Sequence, residues 1–549
     1  MHKIGKRLWL LLATITAVVV AVILASPTWA SGGKSPSGAQ DLYVDCSRAA
    51  NGSGSHKQPF NTVASVNAVT LTPGANVLFK RGSTCVGVLA PHGSGAPGRP
   101  VVFSAYGDAR GARPAITADA SGTAAIQLAD MSDVVVQDLS LSNPVGPTTA
   151  QRQGILVTAS TGVVRDVLVQ RLWVHNVVAT TRNQANGSGG IIFTARGSHF
   201  EGVTIQDNTV TDSANAGISV LGGGTARPAA DQPWPDASTK VLVTRNVVTR
   251  VQGNGIVVFG SEAPVSSWNK VSYAAMANRD YLDFTNRVCN VGLWFFDSNN
   301  GLAEHNEVSH TVFKGANAVT NGCDGEAFDI DWNQDGTVFQ YNYSHDNEGS
   351  FVLICATTSP HRGAIRYNLS VNDGSVYAVA PCENALDPAK YNADGISIYN
   401  NTFVSPAPRF AVEDDQEVAK QVIPFLGTLD FRNNILYATA PVPADNYFAC
   451  GTNCSNNLFY GMPTYGAAAL QADPQFVAPN VRGTGMAVPR AFSLRPKSPA
   501  ACAGAALAPV TVPASAARTD FFGHRVQNPP SVGFAESQCR PSGGGQPQK

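Results

Sequence analysis

Apolar and polar residues alternate in short bursts along most of this chain, and the bursts recur. The stretches VVVQDLSLSN, VLVQRLWVHN, VTIQDNTVTD, VLVTRNVVTR, GLAEHNEVSH, TVFQYNYSHD, GAIRYNLSVN, ISIYNNTFVS and LDFRNNILYA share one plan. An alternating strand meets an Asn or a polar substitute, and a second short alternating run follows. A period of two predicts strands buried on one face, and the 3.6-residue period of helices is nearly absent after the N-terminus. Asn208, Asn246, Asn306, Asn342, Asn368, Asn401 and Asn434 mark the recurring position. Between copies lies a further strand, usually opened by Gly, as in AGISVLG, NGIVVFG, VGLWFFD and GSFVLIC.

Strands of three to six residues with steps such as the 26 residues from Asn342 to Asn368 predict a solenoid with a period in the twenties. One coil cannot bury its own apolar side, so coils stack and each strand pairs with the one above it. Asn suits the turn, because it tolerates left-handed backbone and can bond its neighbours along the stack. The ladder reading makes Asn342 and Asn368 structural, although both sit in glycosylation sequons. A sandwich or propeller would need hairpin turns or a blade-length repeat, and neither is present.

The ends differ from the coils. QPFNTV with LTPGANVLFKRGSTCVG precedes them, and LRPKSPAACAGA with DFFG follows them. With these ends, the chain resembles the pectin-lyase-like superfamily. That resemblance implies an all-β, right-handed single-stranded parallel β-helix with N- and C-terminal caps, and a secreted, carbohydrate-directed role. It does not single out one reaction.

Composition is compatible with that reading. The 549 residues are 44% hydrophobic and 14% charged, with net charge -1, so no field attracts nucleic acid or anionic membranes. MHKIGKR, an apolar run and SPTWA read as a signal peptide cut near Ala30; an uncleaved membrane anchor is the competing reading. Export would make the ten cysteines disulfide partners, with neighbours in sequence pairing: Cys46 with Cys85, Cys289 with Cys323, Cys355 with Cys382, Cys450 with Cys454, Cys502 with Cys539. The expected organisation is a signal peptide over 1–30, a flexible linker over 31–40, and an N-terminal cap with the first coils over 41–120. The β-helix follows over 121–480 with insertions near 222–240 and 260–290, then a C-terminal cap over 481–539 and a disordered tail over 540–549.

Candidate chemistry concentrates in DGEAFDIDWNQDGTVFQYNYSHDNEGSFVLIC, from Asp324 to Cys355. Alternation points Phe328 and Ile330 inward and Asp329 and Asp331 outward, with Phe351 and Leu353 inward on the next coil. Glu348 precedes its strand much as Glu326 does, 22 residues earlier, so the two are expected to be neighbours across the stack. Paired carboxyls on adjacent coils suit glycoside hydrolysis. The β-helical xylosidases and fucosidases resemble this arrangement. The candidates are Asp329 or Asp331 as nucleophile or base, Glu348 as general acid, and Glu326 and Asp324 in support. Trp294, Trp332, His345, Asp324 and Trp268 are candidates for substrate contact, with Tyr273 and Tyr281 as further platforms in the second insertion.

A second reading is a polysaccharide lyase, with Ca²⁺ held by Asp324, Glu326, Asp329 and Asp331 and a base drawn from Lys314, His310 or His345. The pectate-lyase and polygalacturonase sequence blocks are missing, and sparse basic residues disfavour an anionic substrate. A third reading is a glycan-binding solenoid without catalysis; the acids of VEDDQEV, from Glu413 to Glu417, show that acids also occur here in plain loops. The leading expectation is a secreted monomer that hydrolyses a polysaccharide or oligosaccharide. It needs no cofactor, and no nucleic acid or membrane partner after signal cleavage.

Overall fold

The alternating bursts form strands, and each coil contributes three of them: one before the Asn turn, one after it, and the further strand between copies. In the computed structural model, the described residues are 40–146, 150–179, 187–223, 234–277, 290–313, 324–331, 334–356, 362–381, 395–412, 429–442, 450, 453–506 and 519–539. Among them run three parallel sheets of 15, 14 and 10 strands, each adding one strand per coil. One coil shows the plan: Val134–Gln137 lies in the first sheet, Ser140–Asn143 in the second and Gln153–Ala159 in the third. Val167–Gln170 then pairs in parallel with Val134–Gln137, and the next coil begins.

The inward residues of all three sheets make one continuous core. Val136, Leu141, Ile155, Val169, Val174 and Ile191 are all fully buried within it. The Asn ladder is its polar seam. The Asn246 side chain accepts from the backbone N–H and the amide of Asn208 at 3.1 and 2.9 Å, and donates to the Ile205 carbonyl at 2.9 Å. The same pattern continues through Asn269, Asn306, Asn342, Asn368, Asn401, Asn434 and Asn457. Sequence separations along it range from 23 to 38 residues, so coil length is not a fixed period in the twenties. The strands and turns are constant, and the loops between sheets absorb the difference.

The left-handed residue is not the ladder Asn but the one before it. Asp207, Arg245, Trp268, His305, Tyr341, Tyr367, Asn400 and Asn433 all have φ between +52° and +57°. Each sits at the tight bend from the first sheet to the second, and the ladder Asn that follows turns inward to satisfy buried backbone groups. Asn342 and Asn368 are fully buried, as their structural reading requires.

Glycine at the entrance to the third sheet has a steric cause. A Cβ on Gly217 would lie 2.3 Å from Val248 Cγ1 and 2.6 Å from the Gly255 carbonyl oxygen. Gly154, Gly190, Gly255 and Gly292 meet the same valine contact from the second sheet. On the next coil the position is Ala327, at the start of the acid-rich strand.

Three disulfides are as the cysteine order suggested: Cys46–Cys85, Cys450–Cys454 and Cys502–Cys539. Cys355 is also disulfide-bonded, while Cys289, Cys323 and Cys382 lie outside the described residues. The C-terminal segment folds back on the coils. Phe476, Phe492, Phe521 and Phe534 join an apolar cluster with Tyr341, Tyr343, Tyr367 and Ile435. Among the described residues no helix is long and apolar enough to cross a membrane. The expected signal peptide, residues 224–233 of the first insertion, 278–289 of the second and the VEDDQEV acids lie outside the described residues. The first part of the second expected insertion is not a loop but coil, with Ser261–Glu262, Val265–Ser267 and Lys270–Ser272 paired in the first and second sheets.

Candidate active site

The strand Phe328–Ile330 belongs to the third sheet, and its alternation is as read: Phe328 and Ile330 are fully buried in the core. Asp329 takes the other side, where Trp294 pairs with it from the preceding coil and Leu353 from the following one. This register corrects one expectation. Val352 and Ile354, not Leu353, share the inward side with Phe328 and Ile330. Leu353 stacks on Asp329, because a one-residue shift exchanges the faces of a strand.

Asp329 is therefore a buried acid rather than part of a solvated face, with 1% of its surface exposed. Burial pushes its carboxyl well above the ordinary aspartate range, and Asp331, Asp324 and Glu326 push it further in the same direction. Its Oδ1 is buried without a hydrogen-bond partner. Burial and like-charged neighbours both favour the neutral form of such a carboxyl.

The neighbouring acids are not equally buried. Asp324 and Asp331 are both half-buried, while Glu326 is fully buried. Asp324 has φ +50° and Gly325 φ +109°, a bend that delivers the chain into the strand. Glu326 Oε1 lies 3.4 Å from both the N–H and the hydroxyl of Ser350. Asp331 follows the strand end, with Oδ1 2.7 Å from Cys355 Sγ on the next coil. A disulfide sulfur carries no proton, so this is packing and not a hydrogen bond.

Glu348 is not the cross-coil partner of Glu326. The register of this sheet sets Ser350 beside Glu326. Glu348 is exposed at the preceding turn, where its Oε2 accepts from the Phe313 N–H at 3.2 Å. Nor does Glu348 figure among the charges that raise Asp329. Spacing by 22 residues misled because the register is set by strands, not by residue count.

The other expected contacts scatter. Trp294 borders Asp329 and is 7% exposed, its indole N–H bonded to Asn254 at 3.0 Å. Trp268 projects from the bend between the first and second sheets and stacks on His305 at 4.2 Å, away from the acids. Tyr273 stacks on His310 at 4.7 Å. Trp332, Tyr281 and Lys314 lie outside the described residues.

His345 is buried on the second sheet and does not reach the acids as a substrate contact. Its ring nitrogens lie 2.8 Å from Asp346 and 3.3 Å from Glu307. Burial alone would lower its pKa, but bonding to Asp346 and Glu307 overrides this and brings it to about 9. Glu307 also pairs with Lys270 at 3.2 Å and accepts from the Gly485 N–H at 2.9 Å. The sequence reading missed Glu307 and Lys270, which lie on other coils; the stacked EVS, KVS and YSH strands were the available signal.

The expected Ca²⁺ site at Asp324, Glu326, Asp329 and Asp331 is not formed. Among the described residues no group of three or more His, Cys, Asp or Glu is arranged to hold a metal ion. Asp329, buried between Trp294 and Leu353 with its carboxyl raised, is a poor donor for a hard cation, which needs converging ionised oxygens.

No family model matches the chain. It is 25% identical to the Lacto-N-biosidase of Bifidobacterium longum subsp. longum over 647 aligned positions, covering 96% of this chain and 39% of that protein. The chain thus spans about two fifths of that curated relative. Crystal structures of GH136 lacto-N-biosidase from Eubacterium ramulus are similar in fold. The selenomethionine form has a TM-score of 0.56 at 24% identity, covering 68% of this chain and 67% of that one. The native form has 0.54 at 23%, covering 68% and 65%. The fold is a parallel β-helix, as its sequence suggested.

Proposed function

We propose that the chain is a glycoside hydrolase of neutral glycans, with its reaction at the acids of the third sheet. The observation that carries this reading is a buried Asp329 with an unpartnered oxygen, its carboxyl raised by burial and then by the half-buried Asp331 and Asp324. Hydrolysis of a glycosidic bond takes one protonated and one ionised carboxyl. Acids that repel one another in an apolar setting divide into those two states. Asp331 and Asp324 are accessible enough to touch a substrate, so they take the acid and nucleophile or base roles. Asp329 and Glu326, both buried, tune them. The lacto-N-biosidase names of the relatives support the reaction class and suggest a glycan carrying lacto-N-biose.

The lyase alternative loses one of its candidate bases. At a pKa of about 9, His345 already carries its proton at neutral pH and cannot act as the base. The disulfide-bonded state of the described cysteines supports an extracellular site of action.

The test is product analysis. The protein is incubated with neutral oligosaccharides ending in lacto-N-biose and, separately, with uronate polymers. Released disaccharide, abolished in Asp324→Asn and Asp331→Asn, is the expected result. An unsaturated product from the uronates would replace the hydrolase reading with a lyase, and binding without turnover would replace it with a lectin-like role.

A further inference from the structure

On the outer side of the third sheet, a cavity of about 460 Å³ lies over the coils that precede the acids. Its floor includes Thr194, Leu221 and Phe259, which occupy paired positions on successive strands. Phe259 pairs in turn with Phe296, two residues beyond Trp294, the partner of Asp329. Cavity and acids are thus two stations on one face. Two strand spacings separate the Phe259 coil from the Asp329 coil, about 10 Å along the stack.

The cavity holds unmet hydrogen-bonding capacity. Gln153 is 3% exposed; its amide donates to the Gly187 carbonyl at 2.6 Å, but its Oε1 is buried without a partner. The Trp234 indole N–H is likewise buried and unpartnered. Both residues line the cavity. Leaving a donor and an acceptor buried and unpaired is costly. A ligand rich in hydroxyls, each able to donate and accept, would satisfy both. Backbone keeps the space open: a Cβ on Gly223, which has φ +88°, would stand 3.0 Å from the Trp234 ring. The charged lining groups, Arg196 and Asp297, are one of each sign, so nothing here selects a polyanion.

We propose that this cavity is a distal sugar-binding subsite, which holds one end of a neutral oligosaccharide while the scissile bond lies at Asp331 and Asp324. Indole and phenyl faces in the lining provide apolar contact for a pyranose ring, and Gln153 and Trp234 fix its hydroxyls. The substrate would then lie along the coils, perpendicular to the strands.

This inference rests on the hydrolase reading, and the experiment separates the two. Full-length protein carrying Asp331→Asn, to prevent turnover, is titrated calorimetrically with a neutral tetrasaccharide ending in lacto-N-biose and with lacto-N-biose itself. Trp234→Phe keeps a ring and removes the donor; Gln153→Leu removes the acceptor. Each is expected to weaken the tetrasaccharide by about tenfold, the value of one hydrogen bond, with unchanged disaccharide binding and circular dichroism. Unchanged tetrasaccharide affinity in both variants overturns the subsite. So does the absence of any binding, or tighter binding of an oligogalacturonate. Wild-type protein that binds the tetrasaccharide through Trp234 but releases no product would keep the subsite and sink the hydrolase.

Discussion

Two acid clusters lie on neighbouring coils, and burial leaves them in opposite states. On the third sheet, Asp329 is raised by burial and then by three further carboxyls. On the second sheet, Glu307 is buried too, yet its carboxyl is lowered. Burial opposes this, but His345, the Gly485 N–H and Lys270 outweigh it. Asp346 is lowered mainly by its bond to the same His345. Both central acids are buried carboxyls; the partners differ. A carboxylate given cations and donors becomes an ionised strut, here fastening the C-terminal segment through Gly485. A carboxyl surrounded by its own kind, with an unpartnered oxygen, has no such structural use, which is why the third-sheet cluster is the better candidate for chemistry.

The sharpest way to break this comparison is activity. Asp331→Asn and Asp324→Asn should each lower kcat/KM by about 10³-fold with an unchanged melting temperature, whereas Glu307→Gln should leave kcat within about twofold. Loss of activity on altering Glu307, with folding intact, would mean that the two clusters have been assigned the wrong way round.

Stability should show the reverse. Removing one partner of a buried ion pair leaves the other uncompensated, so Glu307→Gln or His345→Phe should cost about 3 kcal/mol in denaturant unfolding at pH 7. A cost no greater than that of a surface substitution would show the strut to be idle.

The pH dependence sharpens the contrast further. His345 titrates at about 9 in the fold against an ordinary 6.5. Its contribution is therefore complete below about 6.5 and is lost as pH rises through 9. The melting temperature should fall between pH 7 and pH 10 in wild type, and this slope should flatten in His345→Phe.

The smallest effect concerns Asp329. Because its carboxyl is raised, the fold favours the neutral form, and stability drains as pH climbs above the ordinary aspartate value. Asp329→Asn, which cannot ionise, should raise the melting temperature by about 2 °C at pH 8 and leave it unchanged at pH 4. The same variant should displace the acidic limb of the pH–rate profile if Asp329 tunes Asp331; an unmoved limb would make Asp329 a spectator.

Much of the fold was legible because solenoids depend on short-range order. The Asn positions, the glycine before several third-sheet strands and the inward Phe328 and Ile330 all follow from local alternation. The site was less legible. Asp329 and Asp331 were correctly found on the outer side, but Glu348 was drawn in by counting residues, and His345 by its closeness in sequence. Coil lengths vary from 23 to 38 residues, so a residue count cannot say which side chains meet.

By itself, the sequence determined a stack of parallel coils, because the alternation and the buried Asn column admit few other ways to satisfy backbone and apolar groups. Only the tertiary structure decided which acids share a dielectric environment and with whom. That depends on register between coils, which places Trp294 and Leu353 against Asp329 and sets Glu307 beside His345. Proton affinity depends on those neighbours, a few ångströms away in space and some 24 to 38 residues away along the chain.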